Sequence, residues 1–166
     1  MTAPLVVTLA VDDAARSRLQ ALRDAHFPPE RNVVPAHVSL FHALPGEHLA
    51  AVLDDVRAAA RPRFRIDVSG VRSLGRGAAL VLDAEELRAL RADLAQRWQP
   101  WLTRQDAQRY APHVTVQNKV EPAQARALVE QLTASFQPWQ LTATGVHVWR
   151  YLGGPWEPVE TVRFSA

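Results

Sequence analysis

The chain has no cysteine, one methionine and one lysine, Lys119. Without cysteine there is no disulfide framework, no thiolate zinc site and no thiol nucleophile. No apolar run is long enough to span a bilayer. The opening stretch, MTAPLVVTLAVDD, has no basic residue ahead of its short apolar run. It reads as a strand rather than a signal peptide, and the cytoplasm is the expected compartment. Excess charge is also scarce. The 19 basic residues include a single lysine, which leaves 18 arginines, and against 17 acidic residues the net charge is +2. The sequence pI of 9.6 therefore overstates the field around the protein. With no cysteine and two tyrosines, few groups titrate between about pH 7 and 10, and a small arginine excess moves the pI far up. This is not the basic field of a duplex-DNA binder. What is present is a chain of 166 residues with 48% apolar and 22% charged residues, enough to build a globular core.

The pattern alternates strands and helices. Leu5 to Val11 is apolar and β-rich, and Asp12-Asp13 opens a helix whose apolar face is Ala15, Leu19 and Leu22. A strand over His37 to Leu44 ends at Pro45-Gly46, and Leu49, Val52, Leu53 and Val56 mark a second helix. Phe64, Ile66 and Val68 alternate with polar residues as in a half-buried strand, and Ala78 to Leu82 is another. Leu87, Leu90, Leu94 and Trp98 share one helix face. The second half continues with a strand over His113 to Lys119 and a helix from Glu121-Pro122. A long strand, Trp139 to Tyr151, follows, and Gly153-Gly154-Pro155 turns the chain into a last strand near Val159 to Phe164.

The two halves repeat. HVSL at His37 to Leu40 returns as HVTV at His113 to Val116, an offset of 113 − 37 = 76. FRIDVSGV at Phe64 to Val71 returns as WQLTATGV at Trp139 to Val146, an offset of 139 − 64 = 75. Two independent segments with nearly one offset imply an internal duplication. The expected organisation is one bilobal domain over 1–166, with lobes of about 1–76 and 77–166 between which strands can be exchanged.

Residues two apart on a strand share a face. His37 and Ser39 therefore point one way while Val38 and Leu40 point to the core, and His113 and Thr115 repeat this over Val114 and Val116. If the lobes face each other, two imidazoles and two hydroxyls line one cleft. Phosphodiester cleavage needs such a set. One group removes a proton from the attacking oxygen, another gives a proton to the leaving oxygen, and histidine does both near neutral pH. The hydroxyls donate to the non-bridging oxygens. On the residues alone, His37 and His113 also read as metal ligands or as packed core histidines, although neither motif has a carboxylate two residues away.

The doubled HVSL and HVTV motif resembles the H-x-T/S-x signature of the two-histidine phosphoesterases, which include the 2′-5′ RNA ligase-like proteins. The resemblance extends over the whole chain. It implies an α+β fold of two pseudosymmetric lobes, each a mainly antiparallel sheet with helices outside and a cleft between them. It further implies a metal-independent phosphodiesterase with no cofactor. Its partner would be RNA or a nucleotide carrying a 2′,3′-cyclic phosphate or a 2′-5′ linkage, with ATP-independent joining as the reverse reaction. No membrane or obligate protein partner is implied. Carried over by position, His113 activates water, His37 protonates the leaving ribose oxygen, and Ser39 and Thr115 bind phosphate. Two departures stand out. The first hydroxyl is serine, and Gln117-Asn118-Lys119 follows the second motif where relatives often have arginine.

Further substrate contacts are expected from strand parity. Phe41 shares the face of His37, where it stacks a base or else packs in the core. Lys119 shares the face of His113, as a phosphate contact or a solvated strand end. Arg150 and Tyr151 end the long strand and are candidates to reach the cleft. The segments 27–36 and 100–111 lead into the motif strands as substrate lips, with Arg31, Arg104 and Arg109 available. His26, His42, His48 and His147 lack a hydroxyl partner and read as structural or surface residues, His42 being the nearest to a motif.

Overall fold

A computed structural model describes residues 2–166. Seven strands and four α-helices alternate along the chain. They are β1 (Leu5–Val11), α1 (Asp13–His26), β2 (Val38–Leu44), α2 (Leu49–Ala59), β3 (Phe64–Ser73) and β4 (Ala78–Asp83). Next come α3 (Glu85–Arg97), β5 (His113–Gln117), α4 (Pro122–Ser135), β6 (Trp139–Tyr151) and β7 (Trp156–Arg163). No helix among the described residues is long and apolar enough to cross a membrane.

All strand pairs are antiparallel. The sheet order is β2-β1-β6-β3-β4-β5, with β7 paired to β6. Each half of the sequence runs strand, helix, strand, helix, strand. The third strand of each half leaves for the other side of the sheet: β3 pairs with β4, and β6 pairs with β1. The two travelling strands pair with each other through Phe64↔Ala143 to Val68↔Trp139, and so join the lobes. The fold is thus a mixed α+β arrangement of two pseudosymmetric lobes in which the halves interlock.

Local chemistry sets the boundaries. Asp12 caps α1 by accepting from the Ala15 N–H at 3.2 Å, and its other oxygen accepts from the Thr142 N–H at 2.8 Å. Pro122 occupies the first turn of α4, where its missing N–H costs no hydrogen bond. Gly77 in the β3–β4 hairpin lies directly against the Gln117 carbonyl, where no side chain would fit. The last strand begins at Trp156 rather than near Val159, because Tyr151↔Trp156 opens its ladder with β6.

One face of the sheet carries the core. Leu5, Val7 and Leu9 of β1, Val52 and Val56 of α2, Leu90 and Leu94 of α3, and Trp98 are all buried there. Trp98 also donates to the Asp55 carboxylate at 2.9 Å. The sheet curls enough that its two end strands, β2 and β5, contact each other. The face opposite the core becomes the inside of the cleft.

Candidate active site

The strand register fixes what lines the cleft. In lobe 1, Ser39 of β2 lies opposite Thr8 of β1, Thr8 opposite His147 of β6, and His147 opposite Thr161 of β7. Directly opposed residues share a face, so these four form one row across four strands. In lobe 2 the matching row is Thr115 of β5, Ala79 of β4 and Arg72 of β3. His147 and Arg72 are equivalent by the repeat, since 147 − 72 = 75. His37 precedes the first row by two residues, and His113 precedes the second in the same way.

The two motif histidines are held alike. Nδ1 of His37 donates to the Pro35 carbonyl at 2.7 Å, and Nδ1 of His113 donates to the Ala111 carbonyl at 2.8 Å. A ring pinned at Nδ1 keeps its tautomer and leaves Nε2 for chemistry. Burial is the main force holding the His37 pKa down at about 4, and the charges of Arg23, His42 and His113 add to it against the Pro35 hydrogen bond. His113 is lowered mainly by burial and by the Arg72 and His42 charges, against the Ala111 hydrogen bond. The contact between β2 and β5 brings the two motif strands together.

Phe41 does not reach the cleft. Val7 of β1 pairs with Phe41 while its neighbour Thr8 pairs with Ser39, so Leu40 is an extra residue in β2. This bulge reverses the alternation beyond the motif. Phe41 turns into the core, fully buried, edge-on to Trp98 at 4.8 Å and beneath the Arg91 guanidinium at 4.0 Å. His42 turns outward in its place. The same irregularity occurs in β5, where Ala78 pairs with Gln117 and Ala79 with Thr115, leaving Val116 extra. Gln117 is the buried counterpart of Phe41, and its Oε1 has no hydrogen-bond partner.

The other two expectations from strand position also change. β5 ends at Gln117, and Lys119 sits in the following bend with a left-handed φ of 63°. Strand parity therefore says nothing about it, and its side chain is exposed. Arg150 alternates out of phase with Trp149 and donates to the Ala3 carbonyl at 3.4 Å, away from the histidines. Tyr151 keeps the phase of His147 and Trp149, at the open end of β6, and is 42% exposed. Arg31, Arg104 and Arg109 are exposed on the lead-in segments.

Side chains from each half secure the motif strand of the other. Tyr110 donates to the Ser39 carbonyl at 2.8 Å, and Arg91 of α3 donates to the Leu40 carbonyl at 2.7 Å. Burial raises the Tyr110 pKa, so its hydroxyl remains a donor. Reciprocally, Arg23 of α1 donates to the Thr115 carbonyl at 3.0 Å. Both guanidiniums are buried. Since an orphaned buried donor is costly, they fix β2 against α3 and β5 against α1.

Several further residues line the cleft. Trp156 lies 4.6 Å from the His37 ring and 5.9 Å from Trp149, whose Nε1 donates to the Thr8 hydroxyl at 2.9 Å. His147 contacts Trp149 at 5.5 Å and hydrogen-bonds the Thr161 hydroxyl at 2.7 Å. An aromatic wall thus stands beside His37. A cavity of about 810 Å³ opens there between α1 and the β1–β6–β7 face, lined by His37, Thr8, His147, Trp149 and Arg163 among others. The parity of β6 would have placed His147 and Trp149 together. Trp156 was hidden because Pro158 interrupts the pattern of its strand. Asp106, whose carboxylate accepts from the His42 ring at 2.8 Å, was hidden because a lone carboxylate in a loop carries no pattern.

The chain matches the sequence profile of the 2′-5′ RNA ligase superfamily over residues 11–155. No curated protein sequence matches it. Among solved structures it is similar to Escherichia coli LigT complexed with 3′-AMP, at 16% identity and a TM-score of 0.69, with all of both chains covered. It is also similar to a structure described as a phosphoesterase, at 17% identity and a TM-score of 0.66 over 99% of each chain. A Thermus thermophilus protein matches at 19% identity with a TM-score of 0.65 over 97% of each chain. At these identities the structures establish the fold, and the profile, which takes in most of the chain and both histidine motifs, establishes the family. The chain belongs to the 2′-5′ RNA ligase superfamily.

Proposed function

We propose that this protein is a metal-independent phosphodiesterase that hydrolyses the 2′,3′-cyclic phosphate ends of RNA or small cyclic nucleotides. The observation that carries the reading is the paired imidazoles. Each is pinned at Nδ1 by a carbonyl two residues upstream, and each has a hydroxyl two residues downstream on the same face. His113 takes a proton from water as the water oxygen attacks phosphorus. His37 gives a proton to the ribose oxygen as its bond to phosphorus breaks. Ser39 and Thr115 donate to the non-bridging oxygens, where charge builds in the transition state.

The depressed pKa values fit this division once substrate is bound. At neutral pH both imidazoles are uncharged in the empty cleft, which suits a base at position 113. The phosphate anion then favours a proton on His37, since an opposite charge nearby raises an imidazole pKa. The aromatic wall of Trp149 and Trp156 suits a nucleobase beside that acid.

The test is turnover of a defined oligonucleotide ending in a 2′,3′-cyclic phosphate, with and without EDTA. We expect undiminished turnover in EDTA and a single phosphate regioisomer, because acid and base flank the phosphorus from fixed sides. Loss of activity in EDTA would replace this reading with a metallohydrolase. Tight binding of 2′-phosphorylated ends without turnover at any pH would make the cleft a binding module.

A further inference from the structure

The geometry points to His42 as a third phosphate-contacting imidazole, delivered to the cleft by the β2 bulge and held there by Asp106 from the other half of the chain. The inference rests on the phosphodiester reading above and names an additional contact of that site.

Three observations converge. First, the extra residue at Leu40 turns His42 to the face of His37 and Ser39, and its side chain is 45% exposed. Second, its ring is not left to rotate. Nδ1 of His42 donates to Asp106 Oδ1 at 2.8 Å, and the same carboxylate accepts from the backbone N–H of His42 at 2.9 Å and of Ala43 at 3.2 Å. Third, the Asp106 side chain is wholly buried and its backbone is clamped. Its N–H donates to the Thr103 hydroxyl at 3.2 Å, and its carbonyl accepts from Arg91 Nη2 at 2.7 Å. Burial works to raise the Asp106 carboxyl. The His42 hydrogen bond, the two backbone N–H groups and the His42 charge outweigh it and hold the carboxyl below its ordinary value, so it remains an anion.

A buried carboxylate that only tied down a loop would be satisfied by amide donors. Here it also fixes the orientation of an imidazole that lies partly in solvent. A carboxylate at Nδ1 sets the tautomer and turns Nε2 away from Asp106. Among the described residues, Nε2 of His42 has no protein hydrogen-bond partner. Asp106 lies at Nδ1 with Arg91 behind it, and the register puts His37 and Ser39 on the same face of the chain. The acceptor that fits Nε2–H on the face of His37 and Ser39 is an oxygen of an anionic phosphate. The repeat does not duplicate this device, because Asn118 stands at the equivalent position of the second motif.

The first test uses the unmodified protein. Imidazole ¹H–¹⁵N resonances are followed as inorganic phosphate is added. His42 is expected to shift together with His37 and His113 while His26 stays still. A silent His42 beside responsive His37 and His113 overturns the proposal and leaves the phosphodiester reading standing. If none of the three responds and His37→Ala retains full turnover, the underlying reading falls as well. The second test is kinetic. His42→Ala is expected to raise KM for a cyclic-phosphate dinucleotide by about 10- to 100-fold, with a smaller change in kcat. His42→Gln, which restores an N–H donor, is expected to recover part of the loss. Asp106→Asn keeps an acceptor for the two backbone amides but removes the charge. It is expected to raise KM in the same direction, with little further effect when combined with His42→Ala. Unchanged KM in both single variants overturns the proposal.

Discussion

The two motif strands have the same plan and different surroundings. β2 and β5 each present a histidine pinned at Nδ1, a hydroxyl two residues on, and a bulge after that. The bulge buries Phe41 in one strand and Gln117 in the other. Beyond it, lobe 1 offers His42 on a buried carboxylate, with Trp149 and Trp156 alongside. Lobe 2 offers Asn118, with Ala79 and the exposed Arg72 in the row beside Thr115. The shared parts are those an acid/base pair needs, and they follow the duplication. On the proposed reading, the differing parts give the substrate its direction. An aromatic wall takes a base, while an exposed guanidinium on an open face takes a chain phosphate. In a symmetric cleft, the substrate could bind in either orientation. On the proposed reading, this asymmetry puts the acid at one end of it.

The largest effect tests the shared part. His37→Ala and His113→Ala are each expected to lower kcat by roughly 10²- to 10⁴-fold, the usual contribution of a positioned acid or base. Full activity in both variants would break the equivalence of the strands and the mechanism with it.

The bulge positions separate the strands in stability. Phe41→Ala opens a cavity against Trp98 and Arg91 and is expected to cost about 3–5 kcal/mol in denaturant unfolding. Gln117→Met removes a buried oxygen without a partner and is expected to change stability by less than about 1 kcal/mol, or to raise it. Equal losses would mean that the two residues buried by the bulges do the same job.

The flanks come next. Trp156→Ala is expected to raise KM by about 5- to 100-fold for a mononucleotide 2′,3′-cyclic phosphate, the size of one lost base stack. Arg72→Ala is expected to leave that KM nearly unchanged and to weaken only longer oligonucleotides, more so at low salt. The opposite pattern would reverse the substrate in the cleft.

The smallest effect is a shift in a pH optimum. With the His37 pKa at about 4 and that of His113 also lowered, the singly protonated free enzyme is most populated on the acid side of an ordinary imidazole. The kcat/KM profile is therefore expected to peak below about pH 6.5, and the kcat profile at a higher pH, because bound phosphate raises both values. Stability follows the same sign. A His37 pKa depressed in the folded state favours folding fully above the unfolded value, and that contribution is lost as pH falls from about 6.5 toward 4. Coincident kcat and kcat/KM optima would show that the substrate does not re-protonate the pair.

Much of the fold was legible because it rests on short-range rules. The apolar, β-rich run Leu5 to Val11 and the long stretch Trp139 to Tyr151 marked β1 and β6 to the residue, Asp12 marked the start of α1, and the doubled H-x-S/T pattern marked both motif strands. Parity was a sound guide only while the strand stayed regular. Past Ser39 an extra residue reversed it, so Phe41 went into the core and His42 into the cleft. No residue type announces such a bulge, because Leu40 and Val116 are ordinary strand residues whose excess appears only against a partner strand. Asp106, Trp156 and Arg72 share that property: each lies far along the chain from the histidine it serves.

By itself, the sequence determined the strand–helix alternation, the duplication, and the imidazole and hydroxyl that each half contributes. These depend on residue identity and on neighbours a few positions away. Only the tertiary structure decided which strands cross between the lobes, which side chains the bulges turn inward, and that a buried carboxylate in one half holds a histidine of the other. Those features depend on register and on contacts across dozens of residues, where the energy of a position is set by what packs against it.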